Sequence, residues 1–198
     1  MNIDDPFALL DLPRRFEIDL EALQAAYLRK SASLHPDRFT DPIEQAEAAE
    51  RAAALNRARA VLIDDERRAN ALLALLGGPS KEEEKDLPDG FLMEIMEIRQ
   101  TMEEVLASGD AAKRRHFEDW ADGEREALIE KIADFFRQAT AEEGASPPAD
   151  LLGAIRIELN ALRYIERMIE QLGAPGTVMS DEAPGKGAGI SHRGSDER

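Results

Sequence analysis

The sequence predicts an all-α protein built as two helical units in series. Three observations carry this. The 198 residues are 43% hydrophobic, rich in Ala and Leu, with only 5% aromatics and no β-branched runs. Apolar residues recur at three- and four-residue intervals through long segments that end at Pro or Gly. Between two such regions lies residues 77–90, with glycines, prolines and the charged run Lys81-Glu82-Glu83-Glu84-Lys85-Asp86, which reads as an inter-domain linker. The length suffices for two small cores.

In chain order, Phe7 to Leu12 is a short apolar segment closed by Pro13, with Pro6 suited to a first helical turn. Asp19 can cap the next helix, whose Leu20, Leu23, Tyr27 and Leu34 mark one buried stripe while Arg29 and Lys30 fall towards the other side. Asp41-Pro42 has the form of an N-cap and first helical residue, and the alanine-dense helix after it should lie antiparallel against the one before. Asp64-Asp65 breaks or recaps the chain before a helix running to Gly77. Past the linker, helices are expected over Phe91 to Leu106, over Ala111 to Ala141 (through Phe117, Trp120, Leu128, Ile132 and Phe135), and up to Leu172-Gly173. Short connections fold these three into an antiparallel bundle. From residue 173 onward Gly, Ala, Pro, Ser and charge dominate, which predicts a disordered tail over 173–198.

The break between the first two long helices is Leu34-His35-Pro36-Asp37-Arg38-Phe39. Pro36 has no backbone N–H and disfavours helical geometry at His35, so the chain must turn, presenting an imidazole and a carboxylate on a rigid corner. His-Pro-Asp in this setting, one helix in from the N-terminus with basic residues before it and an amphipathic helix after it, resembles the J-domain signature. The J-domain is the module by which co-chaperones engage DnaK-class ATPases. The resemblance implies chaperone contact through His35, Pro36 and Asp37, with Arg29, Lys30 and Arg38 forming a cationic face.

A wider resemblance, over residues 3 to 172, is to the HscB family of J-domain co-chaperones. It is carried by Pro6 to Pro13, the His35 turn, Leu55-Asn56-Arg57-Ala58, Arg68-Ala69-Asn70-Ala71-Leu72-Leu73, Ala161-Leu162-Arg163-Tyr164-Ile165 and, most specifically, Phe91-Leu92-Met93-Glu94-Ile95-Met96-Glu97-Ile98-Arg99. This similarity implies a J-domain at 1–76, a linker at 77–90 and a cargo-binding three-helix bundle at 91–172. It further implies a non-enzymatic partner of the chaperone HscA that brings it the iron–sulfur scaffold protein IscU and stimulates its ATP hydrolysis. Scaffold binding is implied at Leu92, Met93, Met96, Glu97, Gln100, Glu104 and Tyr164. Two residues depart from the family pattern: Ser33 stands where many J-domains carry a basic residue, and Tyr164 where phenylalanine is usual. The N-terminal cysteine pairs of the eukaryotic branch are absent, so no metal and no cofactor are expected.

The residues of the first bundle helix point the same way independently. At about 100° per residue, Phe91, Ile95, Ile98, Met102 and Val105 fall within roughly 40° of one direction and complete a core stripe. Leu92, Met96 and Met93 project about 100°, 140° and 200° from it, interleaved with carboxylates, and flexible thioethers beside acids make an adaptable binding surface. On the last helix Ile155, Leu162, Ile165 and Ile169 share one side and Tyr164, Met168 and Ile157 lie on another, where Met168 and Ile157 suit either core or surface.

Composition limits the partners. The chain has 41 acidic against 25 basic residues, a formal charge of −16, so nucleic acid and anionic membranes are poor partners for the whole molecule. There is no cysteine, the opening Met1 to Phe7 is acidic without an apolar signal core, and no apolar run approaches a membrane span. A cytoplasmic monomer is expected. Two other readings stay open: a J-domain co-chaperone of a general DnaK-class ATPase with different cargo, and a helical scaffold unconnected with chaperones. An enzyme using His35 as base held by Asp37 is disfavoured, because an exposed proline-fixed turn offers little desolvation to perturb a pKa.

Overall fold

In the computed structural model the described residues are 5–35, 38–141 and 146–173; the expected tail beyond 173 lies outside them. They form seven helices: α1 (Pro6–Leu9), α2 (Leu20–Ser33), α3 (Pro42–Ile63), α4 (Asp65–Leu75), α5 (Phe91–Ser108), α6 (Ala111–Ala139) and α7 (Ala149–Gly173). No strand occurs among the described residues.

Helix starts follow local chemistry. Asp5, Asp19, Asp41, Asp64 and Asp110 each stand as N-cap with the carboxylate accepting from first-turn N–H groups, and Pro6 and Pro42 occupy positions whose N–H would have had no partner. Asp64 both ends α3 and caps α4, so the chain recaps there with no intervening loop. In the α2/α3 hairpin the Tyr27 hydroxyl donates to Asn56 Oδ1 at 2.7 Å and Arg59 Nε to Gln24 Oε1 at 3.1 Å. Stepping three residues forward on one helix and three back on the other fixes the antiparallel register.

The buried stripe of α2 differs from the sequence expectation. Leu23 and Ala26 are its buried residues, Tyr27 and Leu34 pack in part, and Leu20 is left mostly exposed. Ala26 is 4% exposed, burial of a small residue that a count of large apolar residues overlooks. On α6 the residue that enters the core is Phe136, with Phe135 only half-buried at its edge.

Two hydrophobic cores result, and their boundary does not follow the sequence's two units. The first joins Phe7, Leu10, Phe16, Leu23, Leu62 and Leu72 of the N-terminal part to Ile132 and Phe136 of α6 and to Ile155, Leu159 and Leu162 of α7. The second is smaller and packs Ile95 and Met102 of α5 against Phe117, Ala121, Ile165, Met168 and Leu172. Helices α6 and α7 therefore run through both, antiparallel and tied by Lys131–Glu158 at 2.6 Å.

Residues 77–90, expected to be a linker, are laid along α7. Arg156 Nε donates to the Pro79 carbonyl at 3.0 Å, and Asn160 Nδ2 donates to the carbonyls of Glu84 and Asp86 at 3.2 and 3.0 Å. The strap leaves α4 through Gly77, whose φ of +79° suits a residue without Cβ.

Candidate functional site

Two surfaces carry the residues singled out from the sequence. The first is the turn after α2. That helix closes at Ser33, whose hydroxyl donates to the Lys30 carbonyl at 2.6 Å, and Leu34 N–H donates to Ser31 O at 3.0 Å. His35 follows, exposed, and its carbonyl accepts from Arg38 N–H at 3.0 Å; Pro36 and Asp37 lie outside the described residues. On the far limb Gln45 Nε2 reaches back from α3 to the Phe39 carbonyl at 2.8 Å, so α3 holds the turn from one side as α2 does from the other.

The three basic residues are not placed alike. Arg29 and Arg38 are exposed. Lys30 turns inward: its ammonium donates to the Leu9 carbonyl at 2.7 Å and meets Asp11 Oδ1 at 2.8 Å, with its side chain 22% exposed. Asp11 sits at φ +53°, a left-handed conformation uncommon outside glycine. The ammonium fastens that strained end of α1 to α2, which gives Lys30 a structural use that its spacing did not reveal. Leu28, next to Arg29, is 56% exposed. Standing five residues after Leu23, it falls off the buried stripe of α2.

The second surface is the outer side of α5. Ile95 and Met102 are buried and Phe91, Ile98 and Val105 half-buried, which is the expected core stripe. Leu92, Met93 and Met96 are 54%, 74% and 66% exposed, and Glu97, Gln100 and Glu104 are exposed around them. Tyr164, 40% exposed on α7, meets Phe91 edge-on with ring centroids 6.1 Å apart, so it extends the α5 surface across to the neighbouring helix. Of the two residues left open on α7, Met168 belongs to the second core and Ile157 is half-buried.

Helix α5 is bracketed by Gly90 and Gly109, both left-handed, and no side chain caps its start. Its side-chain hydrogen bonds are local, Thr101 to Glu97 O at 3.2 Å, Ser108 to Val105 O at 2.8 Å and Asp110 N–H to the Ser108 hydroxyl at 3.2 Å, so apolar packing is what seats it on α6 and α7 among the described residues. What the surface can do is offer exposed apolar and thioether groups, ringed by carboxylates, to another protein. The described residues contain no group of three or more His, Asp or Glu placed to hold a metal ion.

Comparison with known proteins bears on both surfaces. Residues 87–173 match the family model described as the HSCB C-terminal oligomerisation domain. A co-chaperone protein HscB homolog from Pasteurella multocida is 34% identical over 134 residues, which is 66% of this chain and 78% of that protein. One from Haemophilus influenzae is 33% identical over 129 residues, 63% of this chain and 74% of that protein. Among solved structures, the chaperone HscB from Vibrio cholerae superposes with a TM-score of 0.69 at 26% identity, covering 85% of this chain and 94% of its own. Human co-chaperone protein HscB gives 0.69 at 25% identity, covering 85% and 80%. The likeness spans the N-terminal J-like domain and the helical bundle together, and the chain belongs to the HscB family of co-chaperones.

Proposed function

We propose that this protein is a cytoplasmic, monomeric co-chaperone that delivers the iron–sulfur scaffold protein IscU to the DnaK-class chaperone HscA and stimulates its ATPase. Residues 1–76 serve as the J-domain, 77–90 as the connection and 91–172 as the scaffold-binding unit. The observation that carries the reading is the α5 face: Leu92, Met93 and Met96 stay exposed although the same helix has a complete buried stripe. A helix that only had to fold would place polar residues there.

Under this reading Arg29 and Arg38 flank His35, Pro36 and Asp37 in the chaperone contact, and Lys30 supports it from beneath. Leu92, Met93, Met96 and Tyr164 form the apolar centre of the scaffold contact, with Glu97, Gln100 and Glu104 as its polar rim. The protein then acts as a regulator of another protein's ATP hydrolysis rather than as an enzyme itself. Contact between an acidic partner face and Arg29 works locally against the −16 overall charge, within a Debye length of about 8 Å.

Steady-state ATP hydrolysis by HscA, measured with this protein and IscU, tests the proposal. Native protein should stimulate hydrolysis, and more strongly with the scaffold present, while His35→Gln should abolish stimulation without altering thermal unfolding. Full stimulation by His35→Gln would remove the J-domain assignment. Stimulation of a general DnaK-class chaperone with no effect of IscU would favour a co-chaperone with other cargo.

A further inference from the structure

Helix α5 lies between two fixed points and has a pivot beside each. Before it, Asn160 of α7 holds the carbonyls of Glu84 and Asp86 at 3.2 and 3.0 Å. After it, the Asp110 carboxylate caps α6, accepting from Ala112 and Lys113 N–H at 2.9 and 3.2 Å. Between each fixed point and the helix stands a left-handed glycine, Gly90 at φ +80° and Gly109 at φ +66°. A Cβ built on either would meet nothing within 4 Å, so glycine serves backbone conformation there and not close packing.

The second core is what seats the helix. Ile95 and Met102 are the buried residues that α5 contributes to it, with Phe91 and Ile98 packed in part. The charged residues of α5, Glu94, Glu97, Arg99, Glu103 and Glu104, all stand exposed. Helices α6 and α7 are joined to each other far more firmly. They share both cores, and they are cross-linked by Arg114 to the Leu172 carbonyl, by Arg125 to Glu166 at 3.6 Å and by Lys131 to Glu158 at 2.6 Å. Opening of a folded chain begins where the least apolar surface is buried, and that is the seat of α5.

We infer that α5 lifts off α6 and α7 as a unit about Gly90 and Gly109 while the first core stays closed, and that cargo returns it to its seat. The second half rests on the scaffold-binding reading given above. Leu92, Met93 and Met96 travel with α5, whereas Tyr164 stays on α7. The face is whole only while the Phe91 and Tyr164 rings meet, 6.1 Å apart. A scaffold protein that grips both helices binds the seated state better than the lifted one, and so shifts the population towards it. Cargo thus completes its own binding surface and closes the second core.

The chain has no cysteine, so one introduced thiol reports alone. Ala121 of the second core and Ala69 of the first are each 0% exposed. Under native conditions a thiol reagent should label Ala121→Cys about a hundredfold or more faster than Ala69→Cys, because lifting α5 opens one core only. Hydrogen exchange of the unsubstituted chain gives a second readout. An 18-residue helix out of contact is marginal in water, so α5 amides should be protected about a hundredfold or more less than first-core amides of α6 and α7. IscU at about ten times its Kd should slow labelling of Ala121→Cys about tenfold. The inference is overturned if the two variants label at one rate and α5 amides are protected as fully as those of α6 and α7, or if IscU that is bound in calorimetry leaves the labelling rate unchanged. Failure of IscU to bind at all, with the labelling ratio intact, would support the motion and remove the scaffold-binding reading.

Discussion

Phe16, from the segment between α1 and α2, stacks on Phe136 of α6 with ring centroids 5.4 Å apart and planes 22° from parallel. The pair joins the N-terminal unit to the bundle between positions 120 apart in the chain, within a core that draws on both. Truncating Phe136 to Ala leaves Phe16 without its stacking partner and opens a cavity in a site that is 2% exposed. The expected loss is about 3–5 kcal/mol. Because the core is shared, calorimetry should show one cooperative transition shifted to lower temperature. Two separated transitions, with only the later one moved, would show that the units melt independently.

Arg68 predicts a failure of a substitution that looks conservative. Its guanidinium donates to the carbonyls of Phe16 at 2.7 Å and Leu62 at 2.6 Å, pairs with Asp65, and lies over the Phe16 ring at 4.9 Å from the centroid, all while buried. An ammonium cannot reproduce that planar fork. Arg68→Lys should cost about 2–4 kcal/mol in denaturant unfolding, the order expected when a buried charged network loses partners.

Lys30 and Arg29 should separate cleanly when each is replaced by Ala. Lys30→Ala removes the tie to Leu9 O and Asp11 and should lower stability by about 1–2 kcal/mol. Arg29→Ala, on the exposed side, should change unfolding by within about 0.5 kcal/mol while weakening chaperone binding at low salt. Equal effects of the two on stability would place Arg29 in a contact that the exposed side of α2 does not offer.

For the cargo surface, Leu92→Ala, Met96→Ala and Tyr164→Ala together should weaken IscU binding by about 2 kcal/mol or more, as a clustered hot spot does. Unfolding should move little, because these side chains are 40–66% exposed. Stimulation of the ATPase by the J-domain in the absence of scaffold should be unchanged. Normal scaffold binding by the triple variant in calorimetry would take the contact away from this face.

What was legible in the sequence was local. Capping aspartates, prolines at first helical positions and the α5 core stripe are decided within one or two turns, and the structure carries them as expected. Two apolar stripes are refined by tertiary packing, for a physical reason. Phe135 and Phe136 stand three and four residues after Ile132, so both satisfy helical spacing, and only the position of Phe16 chooses between them. Leu20 fits the α2 period but lies at the helix's first turn, mostly exposed, while small Ala26 is buried. The junction was not legible at all. Arg156 with Pro79, Arg163 with Glu66 and Arg125 with Asp65 join positions 60 or more residues apart, where no period relates them.

That α6 and α7 each traverse both cores makes helix phase a constraint on function. Over its 29 residues α6 spans roughly 43 Å at 1.5 Å per residue, and on this pair of rods are mounted the unit bearing His35 at one end and the face of α5 at the other. Deleting one residue between Ala121 and Ile132, which bracket the change from the second core to the first, would turn the distal half by about 100° while moving it only about 1.5 Å. Such a chain would keep every surface residue and still aim its two faces differently. The pair of helices acts as a protractor, and homologues that keep the angle between the faces must conserve length here more strictly than composition.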